Sequence, residues 1–372
     1  MPDPKEVISN SRFHRRISLS TSQGQLSVSF ADIGCENGPV ILFLPGMFAS
    51  RYAGILLHAI AEKAGIRLLV IDRPGMGAST DVPLAHRVDT WIEVMPQVLS
   101  YLQIQRVSLV SHSAGTFYLL NTWAKCRQYI NPEAAVIGNI DILPVRSALQ
   151  EPSFTTVILL TLPSSAPWVD LKYSRVLSLR AASYIPSKAF SFWNEIPRFF
   201  VTQASPVVSA SGAFVRYWSP SASSNSEDTA SDVAFLVTNW RKVERDYGVP
   251  LSEQKELAQL VGRFLHTENT VGANSEAMQC LRKDGGTSWG VCSDYVDCAK
   301  ALATEPFTLR AYFAETDALI GSKGQQYFEN CWRGPGVEAI EFTSKTIPQS
   351  DHDTVFQSVE VWEDIFSSFK LQ

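Results

Sequence analysis

Ser113 is the residue of this chain best placed for covalent chemistry. It stands in Ser111-His112-Ser113-Ala114-Gly115, which follows the apolar run Arg106 to Val110 and precedes a helix-length segment, Thr116 to Ala124. A strand running straight into a tight turn and a helix lifts a serine oxygen above a sheet and aims the next backbone N–H at a bound carbonyl. The chemistry is then acyl transfer, with Ser113 as nucleophile and the N–H of Ala114 as an oxyanion donor. The string S-x-S-x-G is cheap by itself, because Ser20 to Gly24 repeats it. That copy joins two extended runs and reads as a hairpin turn. Ala114 and Gly115 suit a crowded turn, whereas Ser111 stands where a third small glycine would fit best. The plainer alternative is a serine that only ends a strand.

Two further segments bear on the same chemistry. Leu44-Pro45-Gly46-Met47-Phe48 follows an apolar strand, where Met47 offers a second backbone N–H to an oxyanion; alone, it reads equally as a Pro-Gly turn. Asp72 to Ser79 (DRPGMGAS) is a glycine-rich loop after the next strand. It fails as a phosphate cradle, lacking the Gly-Lys-Ser/Thr of a P-loop and a glycine three residues beyond Gly77.

Taken in order, PVILFLPGMFAS, LLVIDRPGMGAS and VSLVSHSAGT resemble the α/β-hydrolase superfamily, over about residues 25–143 and again 306–369. The resemblance implies an α/β fold: a mostly parallel, eight-stranded sheet flanked by helices, with a helical cap inserted after strand 6. It also implies a triad in the order Ser, acid, His. Pro45 departs from the family's frequent His-Gly at that point, which bears on the geometry of the oxyanion loop. For the acid, the resemblance points just beyond a late strand, to Asp317 in Tyr312 to Gly321. Glu315, nearer the strand body, and Asp141, at the end of the expected sixth strand, remain alternatives. For the histidine it points to the loop before the last helix, where His352 lies between Asp351 and Asp353. His14, His58, His86 and His266 fall elsewhere, and elbow geometry turns His112 away from the nucleophile. Without the resemblance His352 would read as an ordinary surface histidine.

The implied mechanism has Ser113 attack a carbonyl, His352 shuttle the proton and Asp317 orient the imidazole, while Met47 and Ala114 supply the oxyanion hole. A serine at the elbow tip excludes the aspartate-dependent dehalogenase and epoxide hydrolase branches. No metal or organic cofactor is required. The expected substrate is a small hydrophobic ester or lactone, with thioester and C–C hydrolysis sharing the same triad. Trp168, Trp193, Phe199, Phe200, Tyr217 and Trp218 lie in the inserted region; Trp193 and Trp218 are the first candidates to roof the substrate, although such aromatics equally form a cap's own core. A ligand receptor with a slow triad, or an acyltransferase or cyclase, would use the same residues.

These residues need elements to hold them. Gln25 to Gly34 alternates as a half-exposed edge strand would, whereas Pro39–Leu44, Arg67–Ile71, Val107–Val110 and Ala134–Ile140 are nearly continuous apolar runs suited to central parallel strands. Helical segments, 53–64, 87–102 and 116–128, separate them, so the rhythm is β-α-β-α. It breaks near Pro144 and resumes at Thr308 with a strand to Ala314, a helix over 323–332, a strand over 337–343 and a closing helix near 359–369. The expected organisation is core over 1–143, inserted cap over 144–305 with a serine-rich loop at 205–231, and core again over 306–372. Helical stretches are expected at 233–245 and 252–266.

The 372 residues are 45% hydrophobic and 19% charged, with net charge −5 and mean hydropathy −0.01. That is a globular composition without the basic field a nucleic-acid partner needs. The first eighteen residues read as a polar tail lacking the apolar stretch of a secretory leader. The most apolar run, Thr155 to Leu162, is too short to span a membrane. Cys35, Cys126, Cys280, Cys292, Cys298 and Cys331 contain no C-x-x-C pair, and free thiols in the cytoplasm are expected.

Overall fold

The computed structural model describes residues 3–131, 155–160, 186–192, 194–195, 227–284, 287–317 and 319–369, with backbone alone for 155–160 and 227–233. The strands are β1 (Arg15–Thr21), β2 (Gly24–Gly34), β3 (Val40–Leu44), β4 (Arg67–Ile71), β5 (Ser108–His112), β6 (Thr155–Leu160), β7 (Phe307–Ala314) and β8 (Ile340–Ile347). They form one sheet in the order β1-β2-β4-β3-β5-β6-β7-β8. β2 pairs antiparallel with β1 and β4, and the remaining pairs are parallel.

Around the sheet lie α1 (Pro4–Ile8), α2 (Tyr52–Ile55), α3 (His58–Ala64), α4 (Arg87–Tyr101) and α5 (Gly115–Lys125). Between β6 and β7 come α6 (Glu227–Tyr247), α7 (Leu251–Thr267), α8 (Gly272–Cys280) and α9 (Tyr295–Leu302), and after β7 α10 (Gly321–Arg333) and α11 (Val359–Ser367). Side chains alternate across the sheet with period two. Leu42 and Leu44 of β3 thus face one apolar cluster with Trp91, Phe117 and Trp332. Ile41 and Phe43 face the other with Tyr52, Ile60 and Trp362. Burial on both faces explains why β3 and β4 are nearly continuous apolar runs.

Three sequence expectations need correction. The edge strand is β1, which begins inside the supposed polar tail and runs past its end, and Gly24–Gly34 lies inside the sheet between β1 and β4. Arg15–Thr21 alternates half-buried with exposed residues, so it has no apolar run to betray it. Second, the partner of both β5 and β7 is Thr155–Leu160, which moves the start of the excursion past Leu160 instead of Pro144. The expected strand 134–140 lies outside the described residues. Third, α6 begins at Glu227, so the end of the supposed serine-rich loop is helical.

The order places β4 on one side of β3 and β5 on the other. At such a switch point the connections diverge and leave a crevice beyond the carboxyl ends of the strands. The register aligns Leu44 of β3 with Ser111 of β5, and Ala314 of β7 with Ile347 of β8. The loops after β3, β5, β7 and β8 therefore emerge along one edge.

Candidate active site

β5 delivers Ser113 into a turn at φ +49°, a left-handed conformation that a serine adopts at a cost. The surroundings impose it. Thr116 N donates to Ser113 O at 3.0 Å, and the hydroxyls of Ser111 and Thr116 pair at 3.2 Å across the turn. Ser111 thus braces the elbow where a smaller residue would leave it open. Gly115 allows α5 to start against the end of β3: a Cβ there would lie 2.1 Å from the Leu44 carbonyl oxygen. Gly46 plays the same part from the other side, where a Cβ would stand 2.9 Å from His112 Nδ1 and 3.2 Å from Ser113 Cβ. The second S-x-S-x-G copy ends β1 and turns into β2.

Asp317 follows β7. Its Oδ1 accepts from the N–H groups of Leu319 and Ile320, both at 2.9 Å, leaving Oδ2 to accept from His352 Nδ1 at 2.8 Å. His352 Nε2 lies 2.9 Å from Ser113 Oγ. In the neutral ring, with Nδ1–H committed to the carboxylate, Nε2 accepts from the serine hydroxyl; in the imidazolium both ring nitrogens donate, Nε2–H to Ser113 Oγ. All three side chains are buried. Asp351 Oδ1 accepts from the N–H groups of Asp353 and Thr354, which folds the loop so that His352 projects toward Ser113.

Burial works against the imidazolium of His352. The Asp317 carboxylate and its hydrogen bond, with Asp353 and Asp351 behind, outweigh burial and push it up to about 9. His112 behaves in the opposite way: burial, with His352 adding to it, holds it down to about 3. His112 is therefore a neutral ring, and its Nε2–H donates to the backbone oxygen of His352 at 3.0 Å. It does turn away from the Ser113 hydroxyl, yet it holds the main chain of the His352 loop, a contact the sequence did not disclose.

Glu315 accepts from Gln349 N at 2.8 Å and so ties β7 to the His352 loop without reaching the imidazole. Asp141, Trp168, Trp193, Phe199, Phe200, Tyr217 and Trp218 lie outside the described residues. No acceptor among the described residues takes the N–H of Met47 or of Ala114, although nearly all comparable buried groups are paired. Met47 is half-buried and packs on Phe190, Ala277 and Leu281 and on Phe48, Met76 and Ala273.

Sequence reading also missed Arg73 and Glu276. Arg73 Nε and Nη2 donate to the two oxygens of Glu276 at 2.6 and 2.9 Å, with both side chains 1% exposed. Arg87 reaches the same carboxylate at 3.5 Å. A buried arginine in DRPGMGAS carries no signal until its partner from α8 is seen, because the two are far apart in sequence.

A cavity of about 550 Å³ opens elsewhere, between α1, α3, α6 and α7, and none of the three paired residues lines it. Among the described residues no group of three His, Cys, Asp or Glu side chains is placed to hold a metal ion. No helix there is long and apolar enough to cross a membrane.

Residues 41–361 match the model of the alpha/beta hydrolase family. No curated protein sequence matches the chain. Among solved structures, a carboxylesterase study of the ammonia-oxidizing thaumarchaeon Nitrososphaera gargenis supplies one similar fold, with TM-score 0.52, 11% identity and coverage of 95% of this chain and 97% of that one. A hydrolase from Pseudomonas aeruginosa gives TM-score 0.50 at 14% identity, covering 96% and 98%. A thermophilic esterase from Thermogutta terrifontis gives 0.50 at 13%, covering 96% and 100%. At such identities the likeness is one of fold.

Proposed function

The chain belongs to the alpha/beta hydrolase family and is a hydrolase, and we propose that it cleaves a carboxylic ester or lactone of a small hydrophobic molecule through Ser113, His352 and Asp317. The observation that carries this reading is the unbroken relay from Asp317 Oδ2 through His352 to Ser113 Oγ, at 2.8 and 2.9 Å. Ser113 Oγ attacks the carbonyl carbon while its proton passes to His352 Nε2. The oxyanion is met by the N–H groups of Met47 and Ala114, neither of which has an acceptor among the described residues. Collapse expels the alkoxide, which takes the proton from His352, and leaves the acyl group on Ser113. Water then attacks, gives its proton to His352, and the acid departs as Ser113 recovers its own.

The apolar character of the substrate is supported by Met47, Phe190, Ala277 and Met278, three of them contributed by the excursion between β6 and β7. We take that excursion as the substrate-facing layer. Five of the six cysteines are buried, and none of the six is in a disulfide, which fits a reducing, cytoplasmic setting.

A fluorophosphonate should label Ser113, and the protein should turn over p-nitrophenyl acetate and butyrate repeatedly. Ser113→Ala should lower turnover on the order of 10⁶-fold, and Asp317→Asn by roughly 10⁴-fold through the wrong imidazole tautomer. Labelling at Ser22, or a single turnover per molecule, would defeat the proposal, the latter in favour of a ligand receptor.

A further inference from the structure

We infer that Arg73 is a positioning residue for the oxyanion loop, and that Glu276, carried by the excursion between β6 and β7, holds it in place; the inference rests on the acyl-transfer reading of Ser113. Arg73 donates not only to Glu276 but to two successive backbone carbonyls, from Nη1 to Pro45 O at 2.6 Å and from Nη2 to Gly46 O at 2.8 Å. A peptide unit is planar and trans, so fixing the oxygen of Gly46 fixes the N–H of Met47 on the opposite side. That opposite N–H finds no acceptor among the described residues, and it lies beside a Gly46 on which a Cβ would stand 3.2 Å from Ser113 Cβ. One guanidinium thereby sets the direction of the proposed second oxyanion donor.

The rest of the DRPGMGAS loop serves to aim Arg73. Asp72 is fully buried and accepts from Arg51 N at 2.5 Å and from Ser29 Oγ at 2.6 Å. Gly77 must lack a side chain, because a Cβ would fall 2.0 Å from Asp72 Oδ2. Gly77 exchanges backbone hydrogen bonds with Asn269, and Gly272 N donates to Gly75 O at 2.9 Å. These bonds dock the start of α8 on the loop, one helical turn before Glu276. Burial works against the Arg73 cation, and the Glu276 carboxylate more than restores it. A buried arginine that served only to neutralise Glu276 would have no need of the Pro45 and Gly46 carbonyls.

Arg73→Lys separates the two roles. Lysine keeps the positive charge opposite Glu276 but gathers three donors on one nitrogen, which cannot reproduce the four hydrogen bonds that Arg73 spreads from three nitrogens of a planar fork. The expected result is a fall in kcat of about 10²-fold on p-nitrophenyl acetate with KM little changed, the lower end of the range for loss of an oxyanion donor. Affinity for an aryl trifluoromethyl ketone, which forms a tetrahedral adduct with a serine, should fall by the same factor as kcat/KM, while affinity for the carboxylic acid product stays constant. Glu276→Gln and the milder Glu276→Asp should show the same kcat-specific signature at about tenfold, and they decide the matter if the lysine variant does not fold. Folded variants with native kcat, or with losses confined to KM or thermal stability, would overturn the positioning role. A wild-type protein that neither labels at Ser113 nor turns over esters would instead overturn the reading beneath it.

Discussion

At the scale of single residues, His352 ties activity and stability to pH in opposite directions. Its cation is favoured in the fold, with a pKa of about 9 against an unfolded value of about 6.5. A raised folded-state value contributes stability that is whole below the unfolded pKa and is lost as pH climbs through the folded one, on the order of 3 kcal/mol across that window. General-base work needs the neutral ring, so kcat/KM should climb with pH toward about 9 and level off above it, while the melting temperature declines over the same range. Asp317→Asn should move the kinetic break to lower pH. A profile that breaks near 6.5 in the wild type, with a flat melting curve, would contradict the coupling. Ser113 and its local setting were legible because a strand, a tip and a helix are adjacent in sequence. Asp317 and His352 were reached through the family pattern. Arg73, Glu276 and His112 were not, since each acts through a partner distant in the chain, Arg73 on Pro45, His112 on the carbonyl of His352.

At the scale of elements, the apolar runs of β3, β4 and β5 announced themselves because both faces of those strands are covered. β1 did not, for its one half-buried face mixes Ile17 and Leu19 with Arg15 and Thr21, and the residues between them are exposed arginine and serines. Two apolar runs, 134–140 and 155–160, competed for the same place beside β5, and hydrophobicity alone does not decide which of them pairs with β7. The sequence conveyed that the turn at Ala114 and Gly115 is crowded, and the structure shows that the crowding is against the end of β3. Leu44 to Gly46 and Gly115 approach so closely that no Cβ fits between the carbonyl of Leu44 and the first turn of α5. Gly115→Ala should therefore destabilise the fold by about 3 kcal/mol or more, as backbone and not a pliable side chain is in the way. Gly65→Ala is the control for a glycine with open space around it; its positive φ carries a cost of about 1 kcal/mol without any clash. Urea midpoints of the two variants check the difference, and equal losses would show that the contact at Gly115 is not close enough to matter.

At the scale of the whole molecule, Ser113 precedes the long excursion and Asp317 and His352 follow it, so the excursion must return to the sheet without prising the two halves apart. Ion pairs on the core side do this. Arg51, 3% exposed, donates from Nη1 to Asp72 at 2.5 Å and to Glu268 at 2.7 Å, and from Nη2 to Glu268 at 2.7 Å. Tyr52 Oη donates to the same carboxylate at 2.8 Å. Glu268 sits between α7 and α8, so the cluster anchors the chain just before α8 carries Glu276 to Arg73. Burial would raise the Glu268 pKa, but the hydrogen bond and charge of Arg51, then Tyr52, hold it below the usual carboxylate range. A depressed value contributes stability present above the unfolded pKa and lost as pH falls through the folded one, so this tie weakens in acid. Glu268→Gln removes the charge at neutral pH while keeping the shape, and should cost about 2 kcal/mol, the scale of a charge-assisted hydrogen bond. The loss should be local. Arg51 still has Asp72, and the sheet core does not depend on Glu268, whereas residues 251–280 lose their anchor. Hydrogen exchange should therefore accelerate across α7 and α8 in the variant and remain protected in β3, β4 and β5. Wild-type protein at about pH 4 should show the same regional pattern in weaker form. Uniform acceleration over the whole chain would mean that Glu268 stabilises the molecule as one body. No acceleration in α7 and α8 would mean that backbone pairing at Gly77 and Asn269 is sufficient to hold the excursion.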